Sequence, residues 1–66
     1  MENKRKEFAA TWAAKREQLG ISRYKISRET GVSLKIISDI ENGTNNYTID
    51  KFLLYTEFIR QAEFPI

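Results

Sequence analysis

Lys35, Ser38, Asp39 and Asn42 are spaced i, i+3, i+4 and i+7, so a helix carries all four on one face. They offer an ammonium, a hydroxyl, a carboxylate and an amide, a set suited to hydrogen-bonded recognition of a polar surface. Catalysis has far less to work with. The 66 residues contain no histidine and no cysteine, which excludes imidazole bases, thiol nucleophiles, disulfides and Cys/His zinc sites together. Ser22 and Lys25 spell the S-x-x-K pattern of some acyl-transfer enzymes, but no partner motif accompanies them. A chain this short buries only about 60% of its unfolded surface, which leaves room for one small core and no catalytic pocket. An enzyme is not expected, and neither is a cofactor or a metal.

The charge is unevenly placed. Residues 4–35 hold nine Lys/Arg against three Glu, a net +6, and the remaining residues hold −4. A basic half in a small cysteine-free domain points to phosphate backbones. No apolar run approaches the roughly 20 residues of a membrane span, and the polar stretch Met1 to Lys6 is followed by no apolar segment. A cytoplasmic single domain over residues 1–66 is expected, without membrane contact.

The elements that must position the polar face are short helices. The only proline is Pro65, and Gly20, Gly31 and Gly43 recur at spacings of 11 and 12, as helix C-caps would. No segment alternates at period two for long enough to make a strand. A first helix is expected over about Asn3–Leu19, with Phe8, Trp12 and Leu19 on the inner face and Lys15 snorkelling from it. A second runs about Arg23–Thr30 behind an N-cap at Ser22, with Ile26 and Thr30 inward. A third runs about Leu34–Asn42 behind Ser33, with Ile37 and Ile40 inward and Ile36 at the edge. A fourth starts after Thr48, with Ile49, Phe52, Leu53, Thr56 and Ile59 inward and a second apolar strip, Leu54, Tyr55, Phe58 and Ala62, on its back.

Two short helices around Gly31-Val32-Ser33 make a helix-turn-helix. The small Ser27 precedes the turn glycine by four residues, and Ile26, Val32, Ile37 and Ile40 supply the apolar contacts. With Arg16-Glu17-Gln18-Leu19-Gly20-Ile21-Ser22 before this unit and Ile37-Ser38-Asp39-Ile40-Glu41-Asn42-Gly43 closing it, the chain resembles the phage repressor/Cro family of DNA-binding domains over about residues 15–59. The resemblance implies an all-α bundle of four to five helices, lambda repressor-like, whose third helix enters the major groove of double-stranded DNA while the second lies across the backbone. It also implies an ion pair between Arg16 and Glu41. A position usually aliphatic in the family is Thr30 here.

On that basis Ser33, Leu34, Lys35, Ser38 and Asp39 are the expected base readers. Lysine suits guanine O6 and N7, aspartate accepts from cytosine N4, and Leu34 suits a thymine methyl. The alternative for Lys35 and Asp39 is an i,i+4 surface pair in the weaker, lysine-first order. Arg23, Lys25, Arg28, Asn42, Thr44 and Asn46 are the expected phosphate contacts, although the Asn45-Asn46 loop is neutral where relatives are often basic. Lys4-Arg5-Lys6 fits either an arm along the backbone or a solubilising helix end.

Leu54, Tyr55, Phe58 and Ala62 are the expected homodimer contact, since large exposed apolar patches on small domains usually mark interfaces. Their alternative is packing against the first helix, or under Phe64 and Ile66 folding back. A dimer would read a near-palindromic operator as a transcriptional repressor. The competing reading is an antitoxin-like module that uses the same fold to hold a protein partner such as a toxin.

Overall fold

Three hydroxyl side chains open three of the four helices. Ser22 Oγ accepts from the Lys25 N–H at 3.0 Å, Ser33 Oγ from the Ile36 N–H at 3.1 Å, and Thr48 Oγ1 from the Lys51 N–H at 3.4 Å. Each satisfies a backbone donor that has no partner inside its helix. The computed structural model describes residues 3–44 and 46–64, apart from the side chains of Asn3 and Arg5. Within them the helices are α1 (Asn3–Gln18), α2 (Arg23–Thr30), α3 (Leu34–Glu41) and α4 (Ile49–Glu63), with no strand among the described residues.

The turn between α2 and α3 depends on two residues. Gly31 caps α2 at φ +83°, a left-handed conformation, and its N–H bonds the Ser27 carbonyl. Thr30 stands where an aliphatic residue was expected and contributes hydrogen bonds instead. Its hydroxyl donates to the Ile26 carbonyl at 2.7 Å and accepts from the Val32 N–H at 3.2 Å. The side chain thereby stitches the end of α2 to the turn.

The core is Ile26, Val32, Ile37, Ile40, Tyr55 and Ile59, all fully buried. Trp12, Ile21, Ile36, Tyr47, Phe52 and Phe58 pack around it half-buried. α1 and α4 lie side by side and run in the same direction. Near their starts Phe8 stacks on Phe52 at a centroid distance of 6.0 Å, and near their ends Lys15 Nζ meets Glu63 Oε2 at 2.9 Å. The aliphatic stem of Lys15 thus follows the core and its ammonium finds a carboxylate.

The rotation of α4 departs from the expectation. Ile49 is 66% exposed and Leu53 also faces outward, whereas Tyr55, expected on the back, is buried completely. The expected homodimer strip is therefore broken. Tyr55 is core, Phe58 is half-buried against the core, and only Leu54 and Ala62 stay exposed. Phe52-Leu53-Leu54-Tyr55 places apolar side chains all round the helix, so periodicity allows two phases. The phase adopted is the one that brings the Tyr55 hydroxyl to a buried carboxylate. Phe8 on α1 and Leu19 just beyond its end are likewise more exposed than expected, and Ala9 and Arg16 take the buried positions. Phe64 does not fold back but is exposed; Ile66 lies outside the described residues.

Candidate nucleic-acid interface

The outer face of α3 is polar apart from Leu34 at its start. Ser33 and Leu34 at its start are exposed, Lys35 is 81% exposed, and Ser38 is half-buried. Asp39 is less open than expected. Its side chain is 15% exposed, and Oδ2 accepts from Lys35 Nζ at 3.3 Å. One turn on, Asn42 Nδ2 donates to Ser38 Oγ at 3.3 Å. Lys35, Ser38, Asp39 and Asn42 are therefore brought onto one surface in two bonded pairs, with the donors of Lys35 and Asn42 outermost.

The loop after α3 is closed by one carbonyl. The Asp39 oxygen accepts both the Thr44 N–H at 3.2 Å and the Thr44 hydroxyl at 3.1 Å. A phosphate accepts hydrogen bonds and donates none, so Thr44 as placed has no free donor for one. In this arrangement Thr44 closes the end of the helix. Asn46 is exposed. Asn45 lies outside the described residues.

Beneath this face sits a carboxylate with four donors. Glu41 Oε2 accepts from Arg16 Nε at 2.6 Å and from the Tyr55 hydroxyl at 2.5 Å, while Oε1 accepts from Arg23 Nε at 2.9 Å and Arg16 Nη2 at 3.4 Å. Arg16 also donates from Nη1 to the Ile21 carbonyl at 2.9 Å. One carboxylate thus joins α1, α2, α3 and α4. The Glu41 side chain is only 2% exposed. Burial alone would raise its carboxyl pKa, but the bonds from Arg16 and Tyr55, the Arg16 charge and the bond from Arg23 outweigh it and hold the carboxyl below its usual range. Burial, then the Glu41 bond and charge, push the Tyr55 phenol well above its ordinary value, so it stays a donor. Burial would lower Arg16, and the Glu41 bond and charge reverse that, so its guanidinium is held charged.

Arg16 and Glu41 meet as the resemblance implies. Arg23 was expected on a phosphate, and its guanidinium, half-exposed, is tied to Glu41 on one edge. The remaining edge faces outward. Tyr55 is the member of the site that periodicity missed. The signal that finds it is the alternative stripe Phe52, Tyr55, Ile59, at i, i+3 and i+7, together with the need of a buried carboxylate for a hydroxyl donor. On α2, Lys25 and Arg28 are exposed; Arg28 lies 5.8 Å from the centre of the Tyr24 ring and 3.8 Å from Glu29.

Among the described residues no group of His, Cys, Asp and Glu could hold a metal ion, and no helix is long and apolar enough to cross a membrane. A family model described as helix-turn-helix matches residues 13–60. Comparison with curated proteins and with solved structures returns no match.

Proposed function

This chain belongs to the Cro/C1-type helix-turn-helix family, and from that premise we propose that it is a sequence-specific repressor that reads an operator with the outer face of α3. DNA binding in transcription regulation is the family's general role. The finer reading rests on one observation: α3 presents an outer face on which Lys35, 81% exposed, is flanked by Ser33, Leu34, Ser38 and Asp39. Lys35 addresses guanine, and Asp39, already held by Lys35, addresses cytosine N4 in the same reach. Arg23, Lys25, Arg28, Asn42 and Asn46 are the phosphate contacts of this reading. Arg23→Ala weakens binding to all sequences alike, whereas a change at Lys35 alters sequence preference.

The protein acts in the cytoplasm as a homodimer. Leu54 and Ala62 remain from the expected dimer strip, and the exposed Leu53 and Ile49 extend the apolar surface along α4. Two copies of α3 then meet successive major-groove faces about 34 Å apart on a near-palindromic site. Repression follows by occlusion of polymerase.

Selection from a random duplex library, with the winning site titrated at two salt concentrations, tests this. Enrichment of a near-palindrome, with affinity falling steeply as salt rises, is the expected result. Absence of any enriched motif overturns it and favours the antitoxin-like reading. In that case the apolar face of α4 is the surface to test against a protein partner.

A further inference from the structure

We propose that Lys6, at the end of the first turn of α1 and outside the helix-turn-helix, contacts a DNA phosphate beside the C-terminal end of α3. It supplies there the cation that the following loop lacks. The inference rests on the DNA-binding reading above and extends the contact surface to an element that reading does not use.

Gly43 carries the placement. It sits at φ +77°, just past the Asn42 cap of α3, and a Cβ added to it would lie 2.9 Å from the Lys6 Cα and 3.2 Å from the Lys6 nitrogen. Real Cβ atoms do not approach backbone that closely, so the absence of a side chain at Gly43 is what lets α1 press onto this loop. The start of α1 is thereby fixed against the segment between Asn42 and Thr44. Lys6 is exposed there.

Charge complementarity gives the partner. Arg16 and Arg23 share Glu41, Arg28 pairs with Glu29, and Lys35 pairs with Asp39. Among the described residues Lys6 has no such carboxylate, and Lys4, two residues earlier, has none either. The loop beyond Gly43 offers the opposite: Asn46 is neutral, and the donors of Thr44 are occupied by the Asp39 carbonyl. An eight-residue helix spans about 12 Å, close to the roughly 12 Å width of the major groove. With the start of α3 on base edges, its C-terminal end lies about 12 Å away, toward the phosphates at the groove edge. At the C-terminal end of α3, Lys6 is a cation without a carboxylate partner among the described residues, and the Gly43 contact holds its backbone in place.

The test is the salt dependence of Lys6→Gln against wild type on the selected site and on an unrelated duplex. Helicity by circular dichroism checks that the exposed substitution leaves the fold intact. The slope of log affinity against log salt becomes shallower by about 0.9, so the affinity deficit of the variant shrinks about threefold between 50 and 200 mM salt. The loss is the same on both duplexes, and Lys6→Arg restores the slope. Arg60→Gln, at the far end of α4 beside the Lys15–Glu63 pair, leaves the slope unchanged. A wild-type slope in Lys6→Gln overturns the Lys6 contact while leaving the α3 reading intact. An equal fall in slope for Arg60→Gln also overturns it, because the effect is then one of net charge. A wild-type protein that binds neither duplex overturns both readings.

Discussion

α3 carries a paired carboxylate on each of two opposite faces. Inward, Glu41 holds Arg16 and Arg23 and accepts from Tyr55, with its carboxylate almost wholly removed from water. Outward, Asp39 holds Lys35, whose ammonium is in solvent. The chemistry of the two is alike and their consequences differ. Water screens the outer pair, so separating it is nearly free and its members can exchange one another for a base. The inner carboxylate has no water to turn to, so its donors are obligatory and it fixes four helices to one another.

Removing the inner carboxylate is the strongest way to break this contrast. Glu41→Ala leaves a buried guanidinium and a buried phenol without their acceptor, and a loss of about 3–5 kcal/mol of stability is expected in urea or guanidinium titration. A loss below about 1 kcal/mol would show that water reaches the pair. Acid probes the same group more gently. The folded carboxyl is held below its unfolded value of about 4.3, so its stabilisation is complete above that value and is lost as pH falls through the folded one. Stability should therefore decline below about pH 5, with a shallower decline in Glu41→Gln.

Tyr55→Phe keeps the ring in the core and deletes one donor to the charged oxygen. A cost of about 1.5–3 kcal/mol is expected for a bond to a charged group, with no change in the salt slope of DNA binding.

The outer pair inverts the pattern. Lys35→Ala should cost about 1–3 kcal/mol in binding to the selected operator and relax its specificity. The same variant should change folding stability by only a few tenths of a kcal/mol, since a lysine-first i,i+4 pair contributes little. Unchanged operator affinity in Lys35→Ala would assign the reading face elsewhere.

Most of α2 and α3 was legible in the sequence because the signals that set them are local. Ser22 and Ser33 bond amides three residues ahead, and Gly31 supplies a conformation that depends on its own missing side chain. The polar stripe of α3 was legible for the same reason, since residues three and four apart share a face in any helix. α4 was legible in extent but not in rotation. With apolar side chains at 52 to 55 no single stripe stands out, and Tyr55 was assigned outward. The bonds of Thr44 were not legible, because their acceptor, the Asp39 carbonyl, comes within reach only when the chain turns back at Gly43.

The sequence by itself determined an all-α chain, the hydroxyl N-caps at Ser22, Ser33 and Thr48, the turn at Gly31 and membership in the helix-turn-helix family. These follow from interactions within a few residues along the chain. Tertiary structure decided which face of α4 is buried, that Arg23 shares Glu41 with Arg16, and that Lys6 stands beside the end of α3. Each of these depends on surfaces brought together from distant parts of the chain. There, one buried carboxylate without water selects the groups that can donate to it, and one missing side chain sets how closely α1 approaches.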